Sequence, residues 1–272
     1  MLFRRTDDTF RVAARLLALG TGLAMVLAIG LYAQEAAGQA QKGAKKGRPG
    51  EGNTQPQDEY GFNQIFDGKT LTGWDGDPTY WRVEDGAIVG QNNPQIKANT
   101  FLIWRGGTPG NFELRLSFRL DGWNSGIQYR SSELPQSKWG MKGYQADMTG
   151  VPFNQGVTGN IREEASGSDA RRAFAALRGQ FTYIAEGKKP QLVGSLGQES
   201  ELRAILKDPP EWNDLQIIAR GYTLIQVING RVMSIMVDDD LPFRKADGLI
   251  GIQVHTGQPM KIEVRNIRIK ML

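Results

Sequence analysis

The side chains able to do chemistry stand in pairs two residues apart: Gln128 with Arg130, Gln145 with Asp147, and Gln253 with His255. In an extended strand, residues i and i+2 point to the same side. Each pair opposes apolar neighbours: Ile127 and Tyr129, then Tyr144, Ala146 and Met148, then Ile250, Ile252 and Val254. If the three segments are adjacent strands, their polar faces merge into a floor of amides, one carboxylate, one guanidinium and one imidazole. Sugar hydroxyls are recognised by such groups together with aromatic walls, which Trp81, Trp104, Trp123 or Trp139 could supply. The same residues also fit the plain outer face of a sandwich, where one side of each sheet meets water, with the tryptophans in the core and His255 structural. Glu163-Glu164 is either a general acid–base pair or two solvated loop charges. Asp238-Asp239-Asp240 resembles a metal nest but follows a strand and precedes Leu-Pro, which favours a solvated turn.

Several other chemistries are excluded. The chain has no cysteine, so it has no disulfide, thiol nucleophile or cysteine zinc site, and its single histidine, His255, rules out a centre with two His ligands. It lacks a G-x-x-x-x-G-K-[ST] phosphate loop, an H-E-x-x-H helix, a G-x-S-x-G elbow and a tight E-x-D-x-E carboxylate cluster. A divalent cation held by oxygen ligands remains open.

Period-two alternation dominates the elements that must hold these residues. Phe112, Leu114, Leu116, Phe118 and Leu120 alternate with Glu113, Arg115, Ser117 and Arg119, the pattern of a half-buried strand. Thr223–Met236 reads as a hairpin about Asn229-Gly230, since that dipeptide supplies the positive φ angles of a two-residue I′ turn. Leu249–His255 and Lys261–Met271 are two further strands, the second shifting phase near Asn266 as a bulge would. Short strands between Gly, Asp and Pro turns predict an all-β antiparallel sandwich. One short helix is predicted over Asp169–Arg178, capped by Ser168, inside a long insertion.

The 272 residues hold 33 Lys and Arg against 29 Asp and Glu, and +3 of that +4 excess lies in residues 1–58. From Glu59 onward the charges nearly balance, which leaves no basic footprint for nucleic acid. Arg4, Arg5, Arg11 and Arg15 precede an uncharged run from Leu16 to Ala33, so residues 1–33 read as a cleavable export signal or an uncleaved anchor. Residues 34–58 contain no large apolar side chain and read as a flexible tether, with one folded domain over 59–272. Both readings of the N-terminus place the domain outside the cytoplasm, touching a membrane only through an uncleaved segment.

In order along the chain stand Asn63–Trp74 (NQIFDGKTLTGW), Trp81–Gly90 (WRVEDGAIVG), Asn111–Arg119, Asn124–Arg130 (NSGIQYR), Gly143–Asp147 (GYQAD), Glu211–Asn213, the Asn229-Gly230 hairpin, Gly251–His255 (GIQVH) and Asn266–Arg268. Together they resemble the bacterial 3-keto-disaccharide hydrolase domain, whose members are also described as 3-keto-glucoside 1,2-lyases and 3-keto-2-hydroxy-glucal hydratases. The resemblance runs from about Glu59 to Leu272. It implies a concanavalin A-like jelly-roll sandwich and extracytoplasmic metabolism of glycosides oxidised at C3. A C3 ketone acidifies the C2 proton, so a base can remove it and expel the C1 substituent; water then adds to the resulting 2-hydroxy-glucal. On that chemistry His255 or Asp147 is the base, Arg130 or a bound divalent cation the enolate stabiliser, and Glu163 or Glu164 the acid. Gln128, Gln145, Gln253, Asn124, Trp139 and Lys142 would contact the sugar. The family more commonly carries Glu where this chain has Gly143, so one carboxylate is missing from that position. The competing class is a non-catalytic carbohydrate-binding module of the cell envelope.

Overall fold

The computed structural model describes residues 58–153, 155–164 and 172–272. The export signal, the tether up to residue 57, and the predicted helix start with its Ser168 cap lie outside the described residues.

Seventeen strands form among them: β1 (Asn63–Gln64), β2 (Trp74–Asp75), β3 (Trp81–Glu84), β4 (Ala87–Gln91), β5 (Thr100–Trp104), β6 (Phe112–Gly122), β7 (Asn124–Glu133), β8 (Met141–Thr149), β9 (Ile161–Glu164), β10 (Phe174–Ala176), β11 (Gln180–Ile184), β12 (Gln191–Ser195), β13 (Asn213–Arg220), β14 (Thr223–Ile228), β15 (Arg231–Asp238), β16 (Leu249–Val254) and β17 (Met260–Met271). They make two sheets, the expected jelly-roll sandwich. The larger sheet runs β12-β11-β15-β14-β13-β6-β17-β4-β3, with β1 added beside β17. The smaller runs β10-β9-β8-β7-β16-β5-β2. The three strands carrying the polar pairs, β8, β7 and β16, are therefore consecutive neighbours, as the floor requires.

The core lies between the sheets because alternation sends every second residue inward. Phe112, Leu114, Leu116, Phe118 and Leu120 of β6 are 0–4% exposed and meet Ile127, Tyr129, Tyr144, Ala146, Ile250 and Ile252 of the smaller sheet in one cluster. Burying each such side chain contributes about 1.5–3 kcal/mol. Trp81 and Trp104 join this core, Trp81 lying so close over Gly90 that a Cβ there would come within 2.2 Å of its ring. The Asn229-Gly230 hairpin forms with φ of +50° and +79°, and the β17 bulge falls where Asn266 takes φ +57°. The helix prediction is corrected: Phe174–Ala176 is strand, and the one helix of the described residues is α1 (Glu199–Ala204). Phe174 and Ala176 pair with β9, and that ladder overrides local helix propensity.

Where the sheets meet near the insertion, the interior carries charge. Arg172 donates to Glu163, to Asp238 and, at 3.0 Å, to Asp240, and all four side chains are at most 6% exposed. Tyr144 donates to Asp238 at 2.5 Å, and Lys245 reaches Glu163 at 3.2 Å. Asp238 and Asp240 are thus not the solvated turn that their neighbours in sequence suggest; a guanidinium from the insertion draws them in. Removing one partner of a buried ion cluster strands the others, at a cost of about 3–5 kcal/mol. Arg172→Met is expected to lose that much stability in urea unfolding, and a loss below about 1 kcal/mol would show that the carboxylates are not left stranded when the guanidinium is removed.

Candidate functional site

The outer face of the smaller sheet carries the site, and its registers place the residues. Gln128 stands opposite Gln145 and opposite Gly251, Gln145 also opposite Arg162, and Asp147 opposite Gly126. Gly126 is required here: a Cβ on it would lie 2.5 Å from the Gln145 side chain, which lies across it. Gln145 Nε2 is shared between Asp147 Oδ1 and Gln253 Oε1, 3.3 Å from each, and Asn124 Nδ2 donates to Asp147 Oδ1 at 3.1 Å. Gln128, Gln145, Gln253 and Asp147 are 0–1% exposed. Even so, both polar atoms of Gln128, Gln145 Oε1, Gln253 Nε2 and Asp147 Oδ2 find no hydrogen-bond partner among the described residues. Native interiors satisfy nearly all such groups, so five clustered exceptions mark a place built for something else to bond.

Asp147 is the electrostatic centre of this face. Burial pushes its carboxyl up to about 6, against the opposing pull of Arg162, Asn124 and Gln145, while Glu164 adds to the rise. Arg162 Nη1 lies 3.8 Å from Asp147 Oδ2, and Arg162 Nε lies 3.2 Å from Glu164 Oε2. Asn99 Nδ2 donates to Glu164 Oε1 at 3.3 Å, which ties β9 to the loop before β5. A carboxylate near neutrality, with a guanidinium at its free oxygen and a second carboxyl behind, can take a proton, steady a developing oxyanion and return a proton.

The candidates read from the sequence divide. The structure brings together Gln128, Gln145, Gln253, Asn124, Asp147 and Glu164. Glu163 points the other way, into the Arg172 cluster, because strand alternation separates it from Glu164. Arg130 is also corrected: it takes φ +47° at a bulge of β7, which breaks the two-residue phase that would have set it beside Gln128. Its guanidinium, 1% exposed, instead bonds the carbonyls of Gly110, Gly221 and Lys245 and the Asn111 side chain, so it clamps loops. His255 follows β16 and bonds through Nδ1 to the Thr256 carbonyl; among the described residues no hydrogen bond joins its ring to the amides or to Asp147. Trp139 donates to Asp75 at 2.8 Å and packs on the small apolar cluster of Phe101, Ile103 and Met141. Lys142 is exposed and carries the opposite strand parity from Gln145.

Two participants were not foreseen, Arg162 and Asn99. Arg162 was legible in principle, since it shares parity with Glu164 in Ile161–Glu164; nothing local to Asn99 signals its reach to β9. Gly143 has φ +151°, and a Cβ there would sit 2.2 Å from Ser131 Oγ, so no side chain fits. Its register partner across the ladder is Glu164, which offers a carboxylate from the neighbouring strand. A divalent cation does not fit this donor set. The free oxygen of Asp147 already faces the Arg162 guanidinium, and among the described residues no group of three or more His, Cys, Asp or Glu side chains is arranged to hold a metal.

The model of the 3-keto-alpha-glucoside-1,2-lyase-like domain family matches residues 61–270. A 3-keto-disaccharide hydrolase of Bacteroides thetaiotaomicron is 29% identical over 154 residues, which span 50% of this chain and 50% of that protein. Two crystal structures from Parabacteroides distasonis, each described as a candidate glycosyl hydrolase, share the fold. One is 18% identical with TM-score 0.50 over 78% of this chain and 99% of its own, the other 19% identical with TM-score 0.51 over 78% and 94%. With all but the first two and last two residues of the expected domain matched, the chain belongs to the 3-keto-alpha-glucoside-1,2-lyase-like domain family.

Proposed function

We propose that the chain is an exported enzyme that cleaves glycosides oxidised at C3, by proton abstraction at C2, elimination of the C1 substituent and hydration. The observation that carries this reading is the set of five buried hydrogen-bonding atoms around Asp147 that have no partner among the described residues. A sugar ring brings hydroxyls that donate and accept alike, which suits two amide oxygens, two amide nitrogens and a carboxylate. The raised carboxyl of Asp147 favours an enzyme over a binding module, since a module needs no base near neutrality. Family membership and the name of the curated relative support a substrate with a C3 ketone.

Asp147 takes the C2 proton onto Oδ2, the oxygen left free by Asn124 and Gln145. The electron pair moves into the C2–C3 enolate, whose oxygen Arg162 stabilises. Expulsion of the C1 oxygen forms the C1–C2 double bond and restores the C3 ketone, with Glu164 protonating the leaving group. Water then adds its hydroxide at C1 and a proton returns to C2. Gln128 and Gln253 hold sugar hydroxyls, while Asn124 and Gln145 keep Asp147 oriented.

Incubation of the purified chain with a 3-keto-glucoside and with its unoxidised parent tests the reading: 3-keto-glucose is expected from the keto sugar alone, and release from neither would overturn it. Asp147→Asn should lower kcat/KM by about 10²–10⁴-fold, and the wild-type profile should rise with pH through about 6, where the base ionises. Stability should move the opposite way. With its native pKa above the ordinary value of 3.8, Asp147 holds its proton more tightly when folded. Its contribution is therefore complete below about pH 4 and lost as pH rises through about 6. Asp147→Asn should flatten that decline and show a Tm at pH 8 no lower than wild type; a variant that is less stable at pH 8 than at pH 4, relative to wild type, would contradict the assigned environment.

A further inference from the structure

At one end of the sandwich, four turns border an open cleft of about 900 Å³, lined by residues of Gln91–Gln95, Asp121–Gly122, Val151–Phe153 and Gly257–Lys261. That volume falls within the range of small-molecule sites, about 300–1,000 Å³. The turns are braced against one another. Asn92, 5% exposed, donates to the His255 and Gln258 carbonyls at 3.1 and 2.7 Å and accepts from the Met260 amide at 2.9 Å. Gln95 donates to the Gly257 carbonyl at 3.0 Å. Backbone bonds from Gly122 to Val151 and from Trp123 to Pro259, at 2.8 and 2.9 Å, close the other side. Gly122 permits this approach: its φ is +81°, and a Cβ would meet the Pro259 carbonyl oxygen at 2.2 Å. A cleft braced in this way needs little ordering when a ligand enters.

Its lining selects among ligand chemistries. Asn93, Gln95 and Gln258 present amides and Asp121 a carboxylate, with the Phe153 ring as a wall. Phe153 is held edge-on against Trp123, ring centroids 4.4 Å apart. The cation in the lining, Lys261, is drawn to Glu263 at 3.4 Å and Glu84 at 4.0 Å, so an anionic ligand would face Asp121 with no other cation among the described lining residues. An apolar ligand would make no use of the three amides and the carboxylate that line the cleft. A neutral polyhydroxylated ring satisfies both halves, since its hydroxyls bond amides and carboxylate while its C–H face stacks on the aromatic ring.

We propose that this end cleft is a second carbohydrate site, which binds a neutral, unoxidised hexose unit through Asn93, Gln95, Gln258 and Asp121 with Phe153 as its stacking wall. It lies beside the floor, since Trp123 is followed directly by Asn124, the residue that bonds Asp147. It would dock a glycan independently of the reaction, and it rests on no step of the proposed mechanism.

Calorimetric titration of the full chain with maltotetraose and with cellotetraose, neither of them oxidised, tests this site. Saturable binding of at least one is expected. Phe153→Ala should weaken it by about tenfold, and Gln258→Ala, at an exposed turn where folding is not at risk, by a smaller factor. Asp147→Asn should leave it unchanged. Binding of neither sugar, binding that survives both cleft variants, or binding abolished by Asp147→Asn would each overturn the proposal. Because the readout is affinity for sugars without a C3 ketone, the cleft can fail while the catalytic reading stands, and the reverse.

Discussion

Hydrogen-bonding capacity that is buried but unused organises the outer face of the smaller sheet. A buried amide or carboxyl atom without a partner costs about 1–3 kcal/mol, so a fold keeps a cluster of them only where another molecule completes the bonding. Around Asp147 burial also sets chemistry, because it leaves Oδ2 without a hydrogen-bond partner among the described residues and raises the carboxyl towards neutrality. The rest of the structure serves this arrangement. The ladder β16-β7-β8-β9 aligns Gln253, Gln128, Gln145, Asp147 and Arg162 on one side. Gly126 leaves the space over which Gln145 lies. The core side chains on the inner side of the same strands hold the ladder flat against the larger sheet.

The charged cluster between the sheets bears on the same site from behind. Glu163 and Glu164 are adjacent on β9 and face opposite ways, so the residue that Arg172 grips is next to the residue that meets Arg162 and Asn99. Fixing Glu163 against Asp238 and Asp240 of the larger sheet's side fixes the height and direction of β9. Arg130 plays a comparable part at the other end of β7, where it gathers three loop carbonyls. Two arginines that a sequence reader would place in chemistry or leave unexplained are thus structural clamps, and the arginine that faces Asp147 is Arg162.

Much of this was legible in the residues. Alternation named the floor amides and Asp147, the Asn229-Gly230 dipeptide named the hairpin, and the phase shift at Asn266 named the bulge. What failed did so for particular reasons. Arg130 lies on the predicted strand, but a single left-handed residue reverses its side, and no local signal distinguishes that from regular extension. The Asp238–Asp240 run looks solvated until a guanidinium more than sixty residues away in sequence closes on it. Phe174–Ala176 has no strong strand pattern; its pairing with β9 decides its form. Gly143 is the instructive case, because the carboxylate missing there in sequence stands opposite it in space, at Glu164.

The central claim is that Asp147 removes the C2 proton, and isotope exchange tests it most directly. A 3-keto-glucoside turned over in D₂O should yield 3-keto-glucose carrying solvent deuterium at C2 from the earliest time points, followed by proton NMR. Asp147→Asn should lose that incorporation together with turnover. Release of product that keeps its original C2 proton would mean direct displacement at C1, and would remove Asp147 from the role of base.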